Sequence, residues 1–289
     1  MRVREVEVQE LRKLCGAVWR DEGHRVWVDG RTAYVPVREG FPCTHDLPSR
    51  NPYSGRGYYL MGNVAVLHGY YPTETEIREV VEWTGAEGVM LVRSCEGSER
   101  IPRTEVVYGT VGEVCHHEAG IRYHIDPRHL MFSMGNRDEK ARVCMEVRRG
   151  ERVADMFAGI GYFALPMARK GAFVHAMEIN PVAYRYLVKN IGENGVTDNV
   201  CAEPGDCRDL LRGTYDRILM GHFESVQFLP SALAHAGSGT VIHVHSAGKT
   251  PPALEEVLHG HGFSGSVTSR KVKKYAPYRW HYVQDVILS

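Results

Sequence analysis

Apolar and polar positions along this chain follow two rhythms, with the change near residue 125. Up to that point apolar runs are short and turn signals frequent. Val26 and Val28 alternate with polar neighbours, Asp29-Gly30 marks a tight turn, and Tyr34, Val35 and Val37 follow, which predicts a hairpin over 25–38. Pro, Gly, Ser and Asn dominate 40–57, an irregular loop. The stretch 58–67 reads as one strand, and Thr73 with Glu76 forms a capping box opening a helix to about Trp83. Short strands are expected at 89–93 and 105–108, and Glu118-Ala-Gly120 turns a second hairpin between 113–115 and 121–125. Residues 1–125 therefore read as a smaller α+β domain.

The second rhythm fills 126–289. A loop over 132–136 leads to a helix over 138–148 with apolar Ala141, Val143, Met145 and Val147. Strands at 152–157, 173–179, 199–203, 216–221 and 239–245 alternate with helical stretches, and a strand pair at 265–275 and 280–288 closes the chain. This alternation predicts an α/β domain: a Rossmann-like, doubly wound sheet with helices on both faces and a closing antiparallel hairpin.

The stretch Val153-Ala-Asp-Met-Phe-Ala-Gly-Ile-Gly-Tyr-Phe163 organises that domain. It reads as a buried strand, a glycine turn and a helix start, with Gly159 and Gly161 allowing close approach of a ligand. The next strand ends on Glu178, placed to accept hydrogen bonds from ribose hydroxyls. Asn180-Pro181 then starts a helix. The pattern is Asp-x-Phe-Ala-Gly-x-Gly rather than the dinucleotide Gly-x-Gly-x-x-Gly. With its leading Asp155 and Phe157, the pattern favours S-adenosylmethionine, a ligand with ribose and no phosphate, over NAD.

Composition removes some classes. With 289 residues, 43% of them hydrophobic, the chain can bury a substantial core, and its formal net charge of zero confines any nucleic-acid contact to local patches. Seven scattered cysteines without a Cys-x-x-Cys pair indicate neither a disulfide framework nor a zinc site, and no metal is expected. No apolar run of about 18 residues and no signal peptide is visible. A cytoplasmic protein with no membrane contact, monomeric by preference, is the expectation.

Four stretches carry a family resemblance: His117-Glu-Ala-Gly-Ile-Arg-Tyr123, Phe132-Ser-Met-Gly-Asn-Arg-Asp-Glu-Lys140, Asp155-Met-Phe-Ala-Gly-Ile-Gly161 with Glu178-Ile-Asn-Pro181, and Tyr275-Ala-Pro-Tyr-Arg-Trp-His281. Together, and in this order, they resemble the superfamily of tRNA guanine-N1 methyltransferases and wybutosine-synthesis enzymes. The methyltransferase branch has Asn-Leu-Pro after the fourth strand. Here that strand continues Met220-Gly-His222-Phe-Glu224, which is similar to the archaeal-type tRNA(Phe) aminocarboxypropyltransferase branch. The resemblance implies a class I S-adenosylmethionine-dependent transferase. It would move the 3-amino-3-carboxypropyl group of that cosubstrate to 4-demethylwyosine, beside the anticodon of tRNA(Phe). Methyl transfer in the same pocket and a non-catalytic binding module are the competing readings.

On that basis the expected cosubstrate-binding residues are Ser133, Asn136, Lys140, Asp155, Phe157, Ala158, Gly159, Glu178, Ile179, Asp206 and Cys207. Glu178 would take the ribose and Asp206 the adenine amino group, unless Asp206 is a plain turn aspartate. Ser133 and Lys140 would take the amino-acid end, unless Lys140 is a solvated helix lysine. His222, with Glu224 behind it, is the catalytic candidate, either contacting the acceptor or relaying its proton. Arg137, Lys271, Lys273, Lys274 and Tyr275 are the tRNA-binding candidates, cations for phosphates and an aromatic ring for an unpaired base. His116 and His117 are not expected to form a metal pair, because neighbours on a strand face opposite ways.

Overall fold

The computed structural model describes residues 1–24, 26–47, 53–97 and 100–289, with only the backbone of Tyr275 and Ala276. Arg25, at the start of the first expected hairpin, and 48–52, in the expected loop, lie outside the described residues. The chain forms two compact units, Met1–Ser54 and Gly55–Ser289. This division differs from the pattern-based one at 125/126. In the first unit the strands Arg2–Glu7, Trp27–Asp29, Thr32–Pro36 and His45–Asp46 make an antiparallel sheet. Asp29 pairs with Thr32, so the hairpin turns at Gly30 as its sequence predicts.

The second unit opens with a four-stranded sheet, Tyr58–Met61, Val64–His68, Gly88–Glu96 and Ile101–Gly109. The single strand expected over 58–67 is two strands, because Gly62 at φ +56° reverses the chain between Met61 and Val64. The helix Glu74–Thr84 has the expected box: the Thr73 side chain accepts from the Glu76 N–H while Glu76 accepts from the Thr73 N–H. The hairpin Val114–Glu118/Ile121–Ile125 follows, with Ala119 and Gly120 both at positive φ in its turn.

The remaining elements form the large sheet. Its strands are β1 (Arg152–Asp155), β2 (Phe173–Glu178), β3 (Val200–Pro204), β4 (Arg217–Met220), β5 (Val241–Gly248), β6 (Gly265–Ala276) and β7 (Arg279–Leu288). Their spatial order is β3-β2-β1-β4-β5-β7-β6. β1 to β5 run parallel and β6–β7 close the sheet antiparallel. Order reverses between β1 and β4, the position where this architecture binds ligands beyond the strand ends. Helices α1 (Arg137–Glu146), α2 (Ala164–Arg169) and α3 (Pro181–Glu193) precede or follow β1 and β2. Leu165, Leu187 and Ile160 pack in one core with Val153, whereas Met156, Met177, Leu229 and Val286 pack in another. Two cores bracket one sheet, as continuous apolar strands require.

α3 also carries the preceding hairpin. Asn194 accepts from the Arg122 N–H at 2.9 Å and donates to the Arg122 carbonyl at 2.7 Å. One turn earlier, the buried Asn190 does the same at His124, at 2.7 and 3.1 Å. Among the described residues no helix is long and apolar enough to cross a membrane.

Candidate functional site

The turn after β1 makes the floor of the site. Gly159 has φ +58° and Gly161 φ +98°, conformations that a side chain disfavours. Space forbids one as well: a Cβ on Gly159 would fall 2.8 Å from the Tyr162 ring and one on Gly161 2.7 Å from Leu165 Cγ. β2 ends beside this turn at Glu178. Its carboxylate accepts from the Gly159 N–H at 2.6 Å and from the Asn180 N–H at 2.8 Å. Asn180 caps α3 by accepting from the Val182 N–H at 2.8 Å, and Pro181 occupies the first turn. One acid thus ties together the loops that follow β1 and β2.

Above this floor lies a cavity of about 580 Å³, within the size range of small-molecule sites. Ser133, Asn136, Lys140, Phe157, Gly159, Glu178, Ile179, Asp206 and Cys207 line it, as do His222 and Glu224. Asp155 and Ala158, expected among the ligand-binding residues, are not on its wall. Each is 1% exposed and supports the turn from beneath. Burial pushes the Asp155 carboxyl up to about 7, against the downward pull of the Phe157 and Ala164 amides.

Three of the expected residues have distinctive surroundings. Lys140 is not a solvated helix lysine: it is 5% exposed, pairs with Glu118, and its ammonium sits 4.8 Å from the Phe132 ring centroid. Burial draws its ammonium below the usual lysine range, against the pull of Glu118. Asp206 caps the short helix Cys207–Leu210, accepts from the Arg208 N–H at 2.9 Å and pairs with the Arg208 guanidinium. It is a turn aspartate, and an adenine would have to share its carboxylate with Arg208. Burial pushes the Cys207 thiol up to about 12, so it stands on the wall as a neutral group.

His222 follows the end of β4, its ring stacked on Phe157 at 5.4 Å between centroids. Its Nδ1 accepts from the Glu224 N–H at 3.2 Å, which leaves the neutral ring protonated on Nε2. The Glu224 side chain is exposed at the rim, and its backbone bridges to Ser246. Behind the wall His281 and His245 are fully buried, their rings 3.0 Å apart from Nε2 to Nδ1. Burial drives His281 down to about 4.

The tRNA candidates are scattered. Arg137 pairs with Glu118 at 2.7 Å beside a separate groove. Lys271 is exposed, its ammonium 4.8 Å from the Trp280 ring centroid, and Lys274 is exposed as well. The Tyr275 side chain lies outside the described residues. Lys273, grouped with them by sequence, lines the cavity instead. Sequence reasoning missed Tyr59, His68 and Arg100, which also line it. Tyr59 and His68 sit on adjoining strands with rings 5.6 Å apart, and the Arg100 guanidinium lies 4.7 Å over the Phe223 ring. The Gly62-Asn63 turn was the available signal for the first two. His116 is buried against Phe132 and His117 is exposed. Among the described residues no three His, Cys, Asp or Glu side chains are grouped to hold a metal ion.

Residues 114–261 match the family model described as the TRM5/TYW2 methyltransferase domain. A Methanocaldococcus jannaschii protein named tRNA(Phe) (4-demethylwyosine(37)-C(7)) aminocarboxypropyltransferase is 34% identical over 244 residues, 80% of this chain and 97% of its own. The Pyrococcus horikoshii protein of the same name is 36% identical over 227 residues, 74% of this chain and 82% of its own. Among solved structures, P. horikoshii TYW2 in complex with MeSAdo has a TM-score of 0.69 at 31% identity, covering 81% of this chain and 91% of that one. Trm5b from Pyrococcus abyssi has a TM-score of 0.73 at 28% identity, covering 99% of both chains.

Proposed function

This chain belongs to the TRM5/TYW2 methyltransferase domain family, and from that premise we propose that it transfers the 3-amino-3-carboxypropyl group of S-adenosylmethionine to 4-demethylwyosine at position 37 of tRNA(Phe). Two relatives named for that reaction match it over most of both chains. The structural observation that carries the reading is the position of Glu178. It stands at the end of β2 with both oxygens aimed by backbone amides, on the wall of a cavity sized for a nucleoside with an amino-acid arm.

The reaction needs no protein nucleophile. The acceptor ring carbon attacks the side-chain carbon bonded to sulfur, the carbon–sulfur bond breaks, methylthioadenosine leaves with its electrons, and the ring proton is lost. Sulfur carries three electrophilic carbons, and the one facing the acceptor is transferred. The chain's task is therefore orientation, desolvation and proton handling. Glu178 holds the ribose hydroxyls. The Gly159 turn admits the nucleoside close to the backbone, and Phe157 and Cys207 make apolar wall. His222, on the cavity wall beyond β4, is placed to contact the acceptor or relay its proton. Residues 126–289 carry out the transfer and 1–125 position the tRNA, with Arg137, Lys271, Lys274 and Tyr275 contributing to the RNA face.

Methyl transfer is the reading to separate from this one, because the likeness to Trm5b runs over 99% of this chain. The residues after β4, Gly221-His222-Phe223, lack the Asn-Leu-Pro of the methyltransferase branch. Incubation with S-adenosylmethionine and tRNA bearing 4-demethylwyosine, followed by mass spectrometry of the sulfur product, decides. Methylthioadenosine with the matching mass gain on the base is the expected result. S-adenosylhomocysteine would overturn it in favour of methyl transfer.

A further inference from the structure

The cavity holds an uncompensated cation. Lys140 and Lys273 both line it, but Lys140 is already paired with Glu118. Among the described residues Lys273 has no carboxylate within ion-pair distance, and its side chain hydrogen-bonds to Ser133 Oγ at 3.4 Å. It is partly buried, and burial with the nearby Arg100 and Lys140 charges draws its ammonium below the usual lysine range. A desolvated cation without a partner calls for an anion.

Two local features aim Lys273 at the cavity. On β6, Lys271 pairs with Tyr282 and Lys273 with the next residue of β7, His281, so Val272 is the extra residue of a β-bulge. In an unbroken strand Lys271 and Lys273 would share a face. The bulge turns one of them to the other side, and Lys271 stays exposed while Lys273 enters the cavity. The loop over 132–136 then makes room for it. A Cβ on Gly135 would fall 2.8 Å from Lys273 Cδ and 2.9 Å from its Nζ.

We propose that Lys273, and not Lys140, binds the carboxylate of the cosubstrate's methionine arm, with Ser133 beside it. The inference rests on S-adenosylmethionine being the cosubstrate. It assigns to the carboxylate-bearing end of the arm a residue that its sequence neighbourhood groups with RNA-binding lysines. Ser133 hydrogen-bonds Lys273 and lines the same wall, so one carboxylate can meet both groups.

Methylthioadenosine shares the nucleoside and the sulfur but lacks the carboxylate, which makes it the matched probe. Calorimetry of the whole protein with each ligand tests the assignment. Lys273→Met weakens S-adenosylmethionine binding by about 10- to 100-fold, the range for losing a charged hydrogen-bonded partner, and leaves methylthioadenosine affinity within about twofold. Lys273→Arg recovers part of the loss, whereas Lys140→Met does not reproduce the selective effect. Equal weakening of both ligands would overturn the proposal, reducing Lys273 to a residue that shapes the cavity. Unchanged affinity for both, with weaker tRNA binding, would overturn it in favour of a phosphate contact. Should the unaltered protein bind neither ligand, the cosubstrate reading itself fails, a result distinct from any of these.

Discussion

The two walls of the cavity are built in different ways. The wall at the ends of β1 and β2 is local: turn, acid and helix cap follow one another within Asp155–Asn180, and backbone amides fix the acid. The facing wall is assembled from distant pieces. Tyr59 and His68 come from the small sheet, Ser133 from the loop before α1, and Lys273 from a bulged strand near the chain end. On the roles proposed above, the first wall would recognise what many nucleoside ligands share, and the second would carry the groups that tell one end of the cosubstrate from another. Specificity would then reside where sequence separation is largest.

The largest effect expected from breaking this contrast is at Glu178. Glu178→Ala removes the ribose acceptor and the tie to the Gly159 and Asn180 amides, so affinity falls about 1,000-fold for S-adenosylmethionine and for methylthioadenosine alike. Calorimetry with both ligands reads this directly, and a selective loss of one of them would show that the acid does not act on the shared nucleoside. His222→Ala comes next. Turnover drops about 100-fold, the lower range for a proton-handling residue, while S-adenosylmethionine affinity stays within about threefold. An unchanged single-turnover rate would remove His222 from the reaction.

The smallest effect is one of stability beneath the local wall. Asp155 has its carboxyl raised to about 7 in the folded chain against an ordinary 3.8. Its ionisation therefore disfavours the folded state increasingly as pH rises from about 4 to 7, and by a constant amount above that. His281, lowered to about 4 from 6.5, acts oppositely between those values, so the readout is a difference between two proteins. Asp155→Asn should gain melting temperature over the unaltered chain progressively between pH 4 and 7, then hold a constant margin. A difference independent of pH would mean the acid stays ionised.

How legible each wall was follows from the same contrast. The strand–glycine–helix run, Glu178 and the Asn180-Pro181 cap stand close together in the chain, and short-range spacing places them. The alternation after residue 150 likewise predicts the doubly wound sheet and its closing hairpin. The environments of Lys140 and Lys273 are not legible in the sequence, for two physical reasons. Whether a helix lysine is solvated depends on what packs over it, here Glu118 and Phe132 from before the helix. Which face a strand lysine takes depends on register, and the bulge at Val272 leaves no mark in the basic run Arg270-Lys271-Val272-Lys273-Lys274. Tyr59 and His68 were hidden because 58–67 was read as one strand, overlooking the reversal at Gly62.

The asparagines at the C-terminal end of α3, Asn190 within it and Asn194 capping it, have a consequence for how the chain behaves among its copies. The outward N–H and C=O groups of Arg122 and His124 are those by which a hairpin edge recruits another strand. Asn194 and Asn190, one helical turn apart, occupy both pairs. A helix thus supplies, through two amide side chains, the hydrogen bonds of an absent strand. At these two residues the hairpin is closed to edge-to-edge association and to exchange of strands between molecules.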